Sequence, residues 1–336
     1  MDSYFTYNFT DSSANQIGAG NNGYWYNTTA SSYSLGLAEL KATATQGAGS
    51  AHLVLAYGLE NAGLGIGTGT SGFDVLQAYV SYNPGQWTFN LGRFVTWMGY
   101  EVIESNSNWN YSHSLLFGAI PFWHTGLSVN YAPSSTFGIT GYVTDGNGTT
   151  GALATNSFAK TGGLEVTIAP SSTFNIVLNG IMGPQTTSNL ATYAAEGIFV
   201  FKPDATWSFA LDAQYGANDT GVATPLASLS YWGVALYGRY QVASDWAVAL
   251  RLEDMNDSDN SLGLYGNADG LSNAKAYVAN EGTLTVEHNF TANLLGRLEG
   301  RLDMASFNGA ADKPFPGATT PSSSQFTTTA SAVFSF

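Results

Sequence analysis

ANLLGRLEGRLDMA, residues Ala292–Ala305, sets Leu294, Gly296, Leu298, Gly300, Leu302 and Met304 on one face of an extended chain. Arg297, Glu299, Arg301 and Asp303 fall on the other. The period is two, the spacing at which side chains alternate across a β-strand. The pattern recurs. In SDWAVALRLEDM (Ser244–Met255), Trp246, Val248, Leu250 and Leu252 oppose Ala247, Ala249, Arg251 and Glu253. In TWSFALDAQY (Thr206–Tyr215), Trp207, Phe209, Leu211, Ala213 and Tyr215 oppose Ser208, Ala210, Asp212 and Gln214.

What joins such strands is written almost identically twice, as YAPSSTF (Tyr131–Phe137) and IAPSSTF (Ile168–Phe174). Weaker versions are YNPGQW (Tyr82–Trp87), FKPDATW (Phe201–Trp207), QVASDW (Gln241–Trp246) and NFTANL (Asn289–Leu294). Their central residues are turn formers: Pro fixes φ, Asp, Asn and Ser bond nearby backbone, and Gly accepts positive φ. A solenoid keeps a constant period. The spacings between Pro84, Pro133, Pro170 and Pro203 drift, so the phrase is one kind of tight turn used repeatedly. With a turn at Gly47–Ser50, these alternate with longer Gly/Asn/Asp/Thr-rich stretches at 11–30, 60–72, 105–112, 145–156, 184–190, 217–225, 256–272 and 306–324. Strand candidates lie between them near 4–10, 32–46, 51–59, 73–83, 87–103, 120–132, 137–144, 158–169, 173–183, 191–202, 206–216, 228–242, 246–255, 275–290, 294–305 and 326–336. That is about 16 strands. An even number puts both termini on the short-turn side, where the first and last strands can pair.

Only 10% of the 336 residues are charged while 14% are aromatic; soluble chains carry about 25% charge. A soluble sandwich shows Lys- and Glu-rich faces to water. Here the few charges sit mid-strand on a recurring face, and the apolar stripes start and stop in aromatics: Tyr82, Trp87, Tyr131, Phe137, Phe174, Phe201, Trp207 and Trp246. Rings at one height read as the aromatic girdle of a barrel in lipid. QFTTTASAVFSF (Gln325–Phe336) alternates and stops on Phe336, resembling the final-strand signature of bacterial outer-membrane barrels. The expectation is all-β: a single transmembrane antiparallel β-barrel over residues 1–336, with short periplasmic turns, long extracellular loops and outer-membrane lipid around it. No stretch of about 18 apolar residues suggests a membrane helix. Met1-Asp2-Ser3-Tyr4 runs directly into a strand, so a secretory signal is expected to have been removed or never present. A net charge of −14 with 10 Lys and Arg excludes nucleic acid as a partner. The absence of Cys excludes disulfides and Cys-ligated metals.

The third long loop differs from the rest. The run GRF–x–T–x–x–GYE (Gly92–Glu101) and the stretch N–x–x–YSHS–LLFG–AIPFWHTG (Asn108–Gly126) are dense in Asn, Ser, Glu and His. Over some 40 residues they resemble the OmpL-like β-barrel porins of Gram-negative bacteria. The resemblance implies an outer-membrane channel for ions and small hydrophilic solutes. Sixteen strands also resemble general diffusion porins, whose third loop folds into the lumen. A barrel of that size holds a water-filled channel, so a narrow zone has to come from a loop, and residues 99–121 are expected to dip inward. Arg93, Glu101, Glu104, Asn106, Asn110, Ser112, His113 and His124 are the candidates for lining or bracing it. Strict alternation from Trp87, Phe89 and Leu91 puts Arg93 toward lipid, so a bulge near Gly92 is expected to turn it inward.

The opposite wall is expected to carry Arg239, Arg251, Arg297 and Arg301 interleaved with Asp212, Glu253, Glu287, Glu299 and Asp303. Arg239 and Arg251 flank the Ser244-Asp245 turn and are expected to be neighbours. Such charges either set a field across a narrow zone or are salt-bridged wall residues; the net charge points to a modest cation preference. The four histidines have no metal-ligand spacing, and EDMNDSDN (Glu253–Asn260) lacks the Gly and terminal Glu of a calcium loop. Ser112, His113 and Glu101 make a poor hydrolase set. Neither enzyme activity nor a cofactor or metal is expected. A homotrimer is the candidate assembly, although no trimer face stands out. The alternatives to a channel are a non-conducting structural or adhesion barrel and a sheath for a partner.

Overall fold

The computed structural model describes residues 1–10, 21, 24, 26–58, 73–145, 160–184, 191–219, 228–259, 277–307, 315 and 322–336. Most of the long-loop stretches named above, at 60–72, 145–156, 184–190, 217–225, 256–272 and 306–324, lie wholly or mostly outside them.

Seventeen antiparallel strands form one sheet. They are β1 (Asp2–Asn8), β2 (Tyr33–Leu35), β3 (Ala38–Gln46), β4 (Gly49–Tyr57), β5 (Phe73–Tyr82), β6 (Trp87–Val95), β7 (Trp123–Ser134), β8 (Phe137–Thr144) and β9 (Thr161–Ser171). They continue as β10 (Phe174–Pro184), β11 (Ala191–Phe201), β12 (Trp207–Asp219), β13 (Ser228–Gln241), β14 (Trp246–Asp257), β15 (Tyr277–Asn289), β16 (Leu294–Phe307) and β17 (Ser324–Phe334). The turn chemistry explains the hairpin ends. At the 203–206 turn, the Asp204 carboxylate accepts the N–H groups of Thr206 and Trp207 at 2.7 and 2.9 Å.

The count differs from about 16 because one expected strand is broken. β2 and β3 share one position in the ring. Across the break, Gly36 N–H donates to Asp2 O at 3.1 Å and Asp2 N–H donates to Leu37 O at 2.8 Å. β1 pairs with β17 from Asp2↔Val333 to Asn8↔Thr327, and with β2 from Ser3↔Leu35 to Phe5↔Tyr33. The barrel is therefore nearly closed. Among the described residues, Ala38–Gln46 pairs only with β4.

The expected strand 87–103 also stops early, at Val95. Thr96 N–H still reaches Phe122 O at 3.0 Å, but Gly99 turns the chain with φ +99°. No bulge occurs at Gly92: β6 keeps register with β5 and β7 throughout. The shift lies in β5, where Val54↔Gln77 is followed by Leu55↔Val75 and Leu76 is left over. Gly92 instead takes φ +138°, and a Cβ there would lie 2.3 Å from Ala78 O. Arg93 is buried by local partners. Its Nη2 donates to Asp74 Oδ2 at 3.3 Å and its guanidinium lies 4.0 Å over the Trp123 ring.

Alternation governs burial. On β14, Leu250 and Leu252 are exposed while Arg251 and Glu253 are buried; on β17, Phe326 and Phe334 are exposed while Thr327, Thr329 and Val333 are buried. The expected girdle aromatics face outward, and at the turn level neighbouring strands pair them, as Trp87 with Tyr131 and Trp207 with Tyr240, both 4.5 Å between centroids. Outward apolar surface with inward charge is the inverse of a soluble protein and fits lipid outside. Replacing outward Leu250 by Arg is expected to cost about 2–4 kcal/mol if it lies near the bilayer midplane. Urea unfolding in lipid vesicles measures this, with Ala249→Ser, on the inner face, as the mild control.

Candidate functional site

Residues 96–122 join neighbouring strands β6 and β7, yet bond to the inward side chains of β11, β12, β14, β15 and β16. They reach those strands by crossing the inside of the barrel. Two short 3-10 turns, Ser105–Ser107 and Leu116–Ala119, are the only regular structure described in the segment.

A buried irregular segment must place its backbone polar groups, and here the wall supplies charged partners. Gly99 N–H donates to both Glu196 oxygens at 3.0 and 2.9 Å. Tyr100 N–H donates to Asp212 Oδ2 at 3.3 Å. Tyr111 and Ser112 N–H donate to Glu299 at 2.8 and 3.1 Å. Leu115 and Leu116 N–H donate to Glu253 at 2.7 and 2.6 Å. Carbonyls meet arginines: Ser112 O accepts from Arg251 at 2.5 Å, His113 O from Arg301 at 2.7 Å and Ser105 O from Arg297 at 2.6 Å. Arg297 also donates to Asn108 O. The arginine guanidiniums make the carbonyl bonds the stronger, charge-assisted kind.

Arg251, fully buried, is the hub. It donates to Glu281 at 2.8 Å and to the segment's own Glu101 at 2.7 Å. The other wall arginines also pair along the wall. Arg239 and Arg297 share Glu287, and Arg301 binds Asp303. Arg239 and Arg251 share a face but stand offset, opposite Ala249 and Tyr237, with different carboxylate partners. The wall charges are thus consumed in ion pairs and in holding the segment.

The expected constriction residues fall into two groups. Glu101, Asn110, Ser112, His113 and His124 are buried braces: Asn110 donates to Thr285 at 2.8 Å, His113 packs on Phe117, and His124 stacks on Trp97 at 4.3 Å. Arg93 belongs with the buried residues but bonds elsewhere, to Asp74. Glu104 and Asn106 are the least buried of the eight. They line a cavity of about 280 Å³ with Asp2, Glu39, Lys41 and the two chain ends at Met1 and Phe336. Lys41, its side chain 52% exposed, pairs with both Glu104 and Glu39.

Residues missed from the sequence are Glu196, Glu281, Glu39, Lys41 and Asp2; the last accepts from Tyr111 at 2.8 Å and from Ser105 at 3.0 Å. For Glu281 and Glu196 a signal was available. Glu281, Thr283, Thr285 and Glu287 alternate in YVANEGTLTVEHN, and Glu196 stands between small outward residues.

Apolar packing fills the space around the crossing. One cluster joins Trp97, Met98, Phe117 and Phe122 to Val54, Leu76 and Ile181. Another joins Leu115 to Tyr231, Met255, Tyr277 and Ala305.

Two ionisable groups of the segment make its anchorage pH-dependent. Burial alone would raise the Glu101 carboxyl, but the Arg251 guanidinium and the Ser114 N–H hold it below the usual carboxylate range. Burial pushes the His113 imidazole below its ordinary value and keeps it neutral. Both stabilise the folded segment fully above their ordinary values of 4.5 and 6.5, and both contributions are lost as pH falls through the lowered ones. Acidification is therefore expected to loosen the crossing. Hydrogen exchange of residues 96–122, corrected for intrinsic rate, should lose protection between pH 7 and pH 4; rising protection in acid would contradict this.

The sequence profile of the family described as "Putative beta-barrel porin-2, OmpL-like" matches residues 1–336, and the chain belongs to that family. No curated protein matches the sequence. Among solved structures, the chain is similar to Pseudomonas putida OprB, with TM-score 0.65 and 12% identity over 100% of this chain and 92% of that one. It is similar to the trimer form of OmpT, an outer membrane protein of Vibrio cholerae, with TM-score 0.61 and 10% identity over 100% and 97%. It is also similar to the anion-selective porin of Comamonas acidovorans, with TM-score 0.60 and 12% identity over 99% and 96%. At such identities the likeness is one of fold: an outer-membrane barrel.

Proposed function

We propose that the protein is a passive outer-membrane channel for ions and small hydrophilic solutes, narrowed by residues 96–122, with no catalytic chemistry of its own. One observation carries the reading: a loop held inside the barrel by wall carboxylates and arginines, with Glu104 and Asn106 beside Lys41 and Glu39 at a cavity of about 280 Å³. The net charge of −14 favours a modest cation preference. A homotrimer is the assembly we favour, on the strength of a similar barrel solved as a trimer.

A second reading is favoured by the two apolar clusters around the loop, which suit a barrel closed at rest and used as a structural component or as a sheath. Planar-bilayer recording under a salt gradient separates the two. Steady conductance steps with a cation-selective reversal potential support the channel. Silence from well-folded, heat-modifiable barrels sinks it in favour of the closed barrel.

A further inference from the structure

Asn179, Glu196, Asp212 and Gln214 stand on three adjacent strands and point inward. The register pairs Asn179 with Glu196 and Glu196 with Gln214, while Asp212 lies two residues before Gln214 on the same face. All four are buried, Gln214 to 4% exposure. The Glu196 and Asp212 carboxyls lie within hydrogen-bonding reach of each other. Glu165, opposite Asn179 on β9, adds a third carboxylate nearby. Among the described residues, no Arg or Lys forms a salt bridge with any of these three. Glu101, Glu281, Glu287 and Asp303, on or against the opposite wall, each have an arginine.

Four donor contacts reach the pair. Gly99 N–H bonds both Glu196 oxygens, Asn179 Nδ2 donates to Glu196 Oε2 at 2.7 Å, and Tyr100 N–H donates to Asp212 Oδ2. Several buried atoms are left over. Asp212 Oδ1, Asn179 Oδ1 and both amide atoms of Gln214 have no hydrogen-bond partner among the described residues. Buried polar atoms are costly without partners. Gln214 matters most, because a side chain buried this far with neither amide atom engaged is a ligand group without a ligand.

We propose that this corner binds a cation, of the divalent, hard-oxygen class to which calcium belongs. The available donors are all oxygens, from two carboxylates and two carboxamides, and calcium takes six to eight oxygens in flexible geometry. A proton shared by Glu196 and Asp212 would relieve their repulsion but leave the Asn179 and Gln214 oxygens unused. A cation between the strands engages all of them and neutralises the corner. It would also fasten the start of the crossing, since Gly99 and Tyr100 hang on the same two carboxylates. The site stands independently of whether the barrel conducts.

The experiment uses the full chain, folded in detergent and stripped with EDTA, titrated with calcium chloride by calorimetry, with magnesium and potassium as comparisons. The expected result is saturable binding of one calcium per chain and a thermal transition that rises with calcium. Glu196→Gln/Asp212→Asn should abolish both effects. It should be at least as stable as wild type without metal, because it removes the repulsion. Gln214→Leu keeps the charges and is expected to weaken calcium binding at least tenfold. Binding that survives unchanged in both variants belongs to another acidic stretch and overturns the assignment. No binding by wild type at any pH where it stays folded also overturns it, leaving a shared proton as the neutralising device.

Discussion

Arg251→Ala is expected to cost the barrel about 3–5 kcal/mol, the usual penalty for stranding buried charges by removing one partner. Three groups lose their cation together: Glu281 on β15, Glu101 in the crossing, and the Ser112 carbonyl. Glu281 retains Thr283 and a longer contact with Arg301, whereas Glu101 keeps only the Ser114 N–H at 2.7 Å among the bonds described for it. The damage should therefore appear first in the crossing and only then in the wall. The β13–β14 and β14–β15 ladders run uninterrupted past position 251 on backbone bonds alone, so the barrel should still form. Urea unfolding should show a lowered midpoint with the heat-modifiable band intact, and hydrogen exchange should show lost protection confined to residues 96–122. Arg251→Lys should recover little, because one ammonium cannot serve the β15 and loop partners at once. An unchanged midpoint in Arg251→Ala would mean that water already screens the hub.

The fold was legible because a barrel in lipid writes its period into the sequence. Phe137–Thr144 was readable to the residue, and most other strands to within about two or three. The failures share a cause. At Val95 the chain stops being a strand while its sequence stays strand-like, because the loop that follows finds its partners on distant strands that local pattern cannot reveal. The break at Gly36–Leu37 and the extra residue at Leu76 are equally invisible to period counting, since each adapts one strand to its neighbours. The site was half legible. Mid-strand charges such as Arg251 and Glu253 announced an inner face, but a sequence cannot say whether they look into water or clamp a backbone. Lys41 escaped notice because its strand alternates with alanines and threonines that carry no strong pattern.

Deleting residues 105–118 is expected to change function more than any point substitution. The deletion removes the N–H groups that satisfy Glu253 and Glu299 and the carbonyls that satisfy Arg297 and Arg301. It also removes Leu115, Leu116 and Phe117 from the apolar packing. The wall need not collapse. Arg297 keeps Glu287, Arg301 keeps Asp303, and carboxylates once buried under the loop would face water, which satisfies them at little cost. Conductance should rise several-fold over wild type, because the crossing no longer occupies the lumen. If wild type is silent and the deletion conducts, the crossing is a closed plug rather than a narrow zone. If both conduct alike, residues 105–118 do not set the width of the passage. If neither conducts although both barrels fold, the ion pairs of the wall serve stability alone, and the barrel's task lies at its surface.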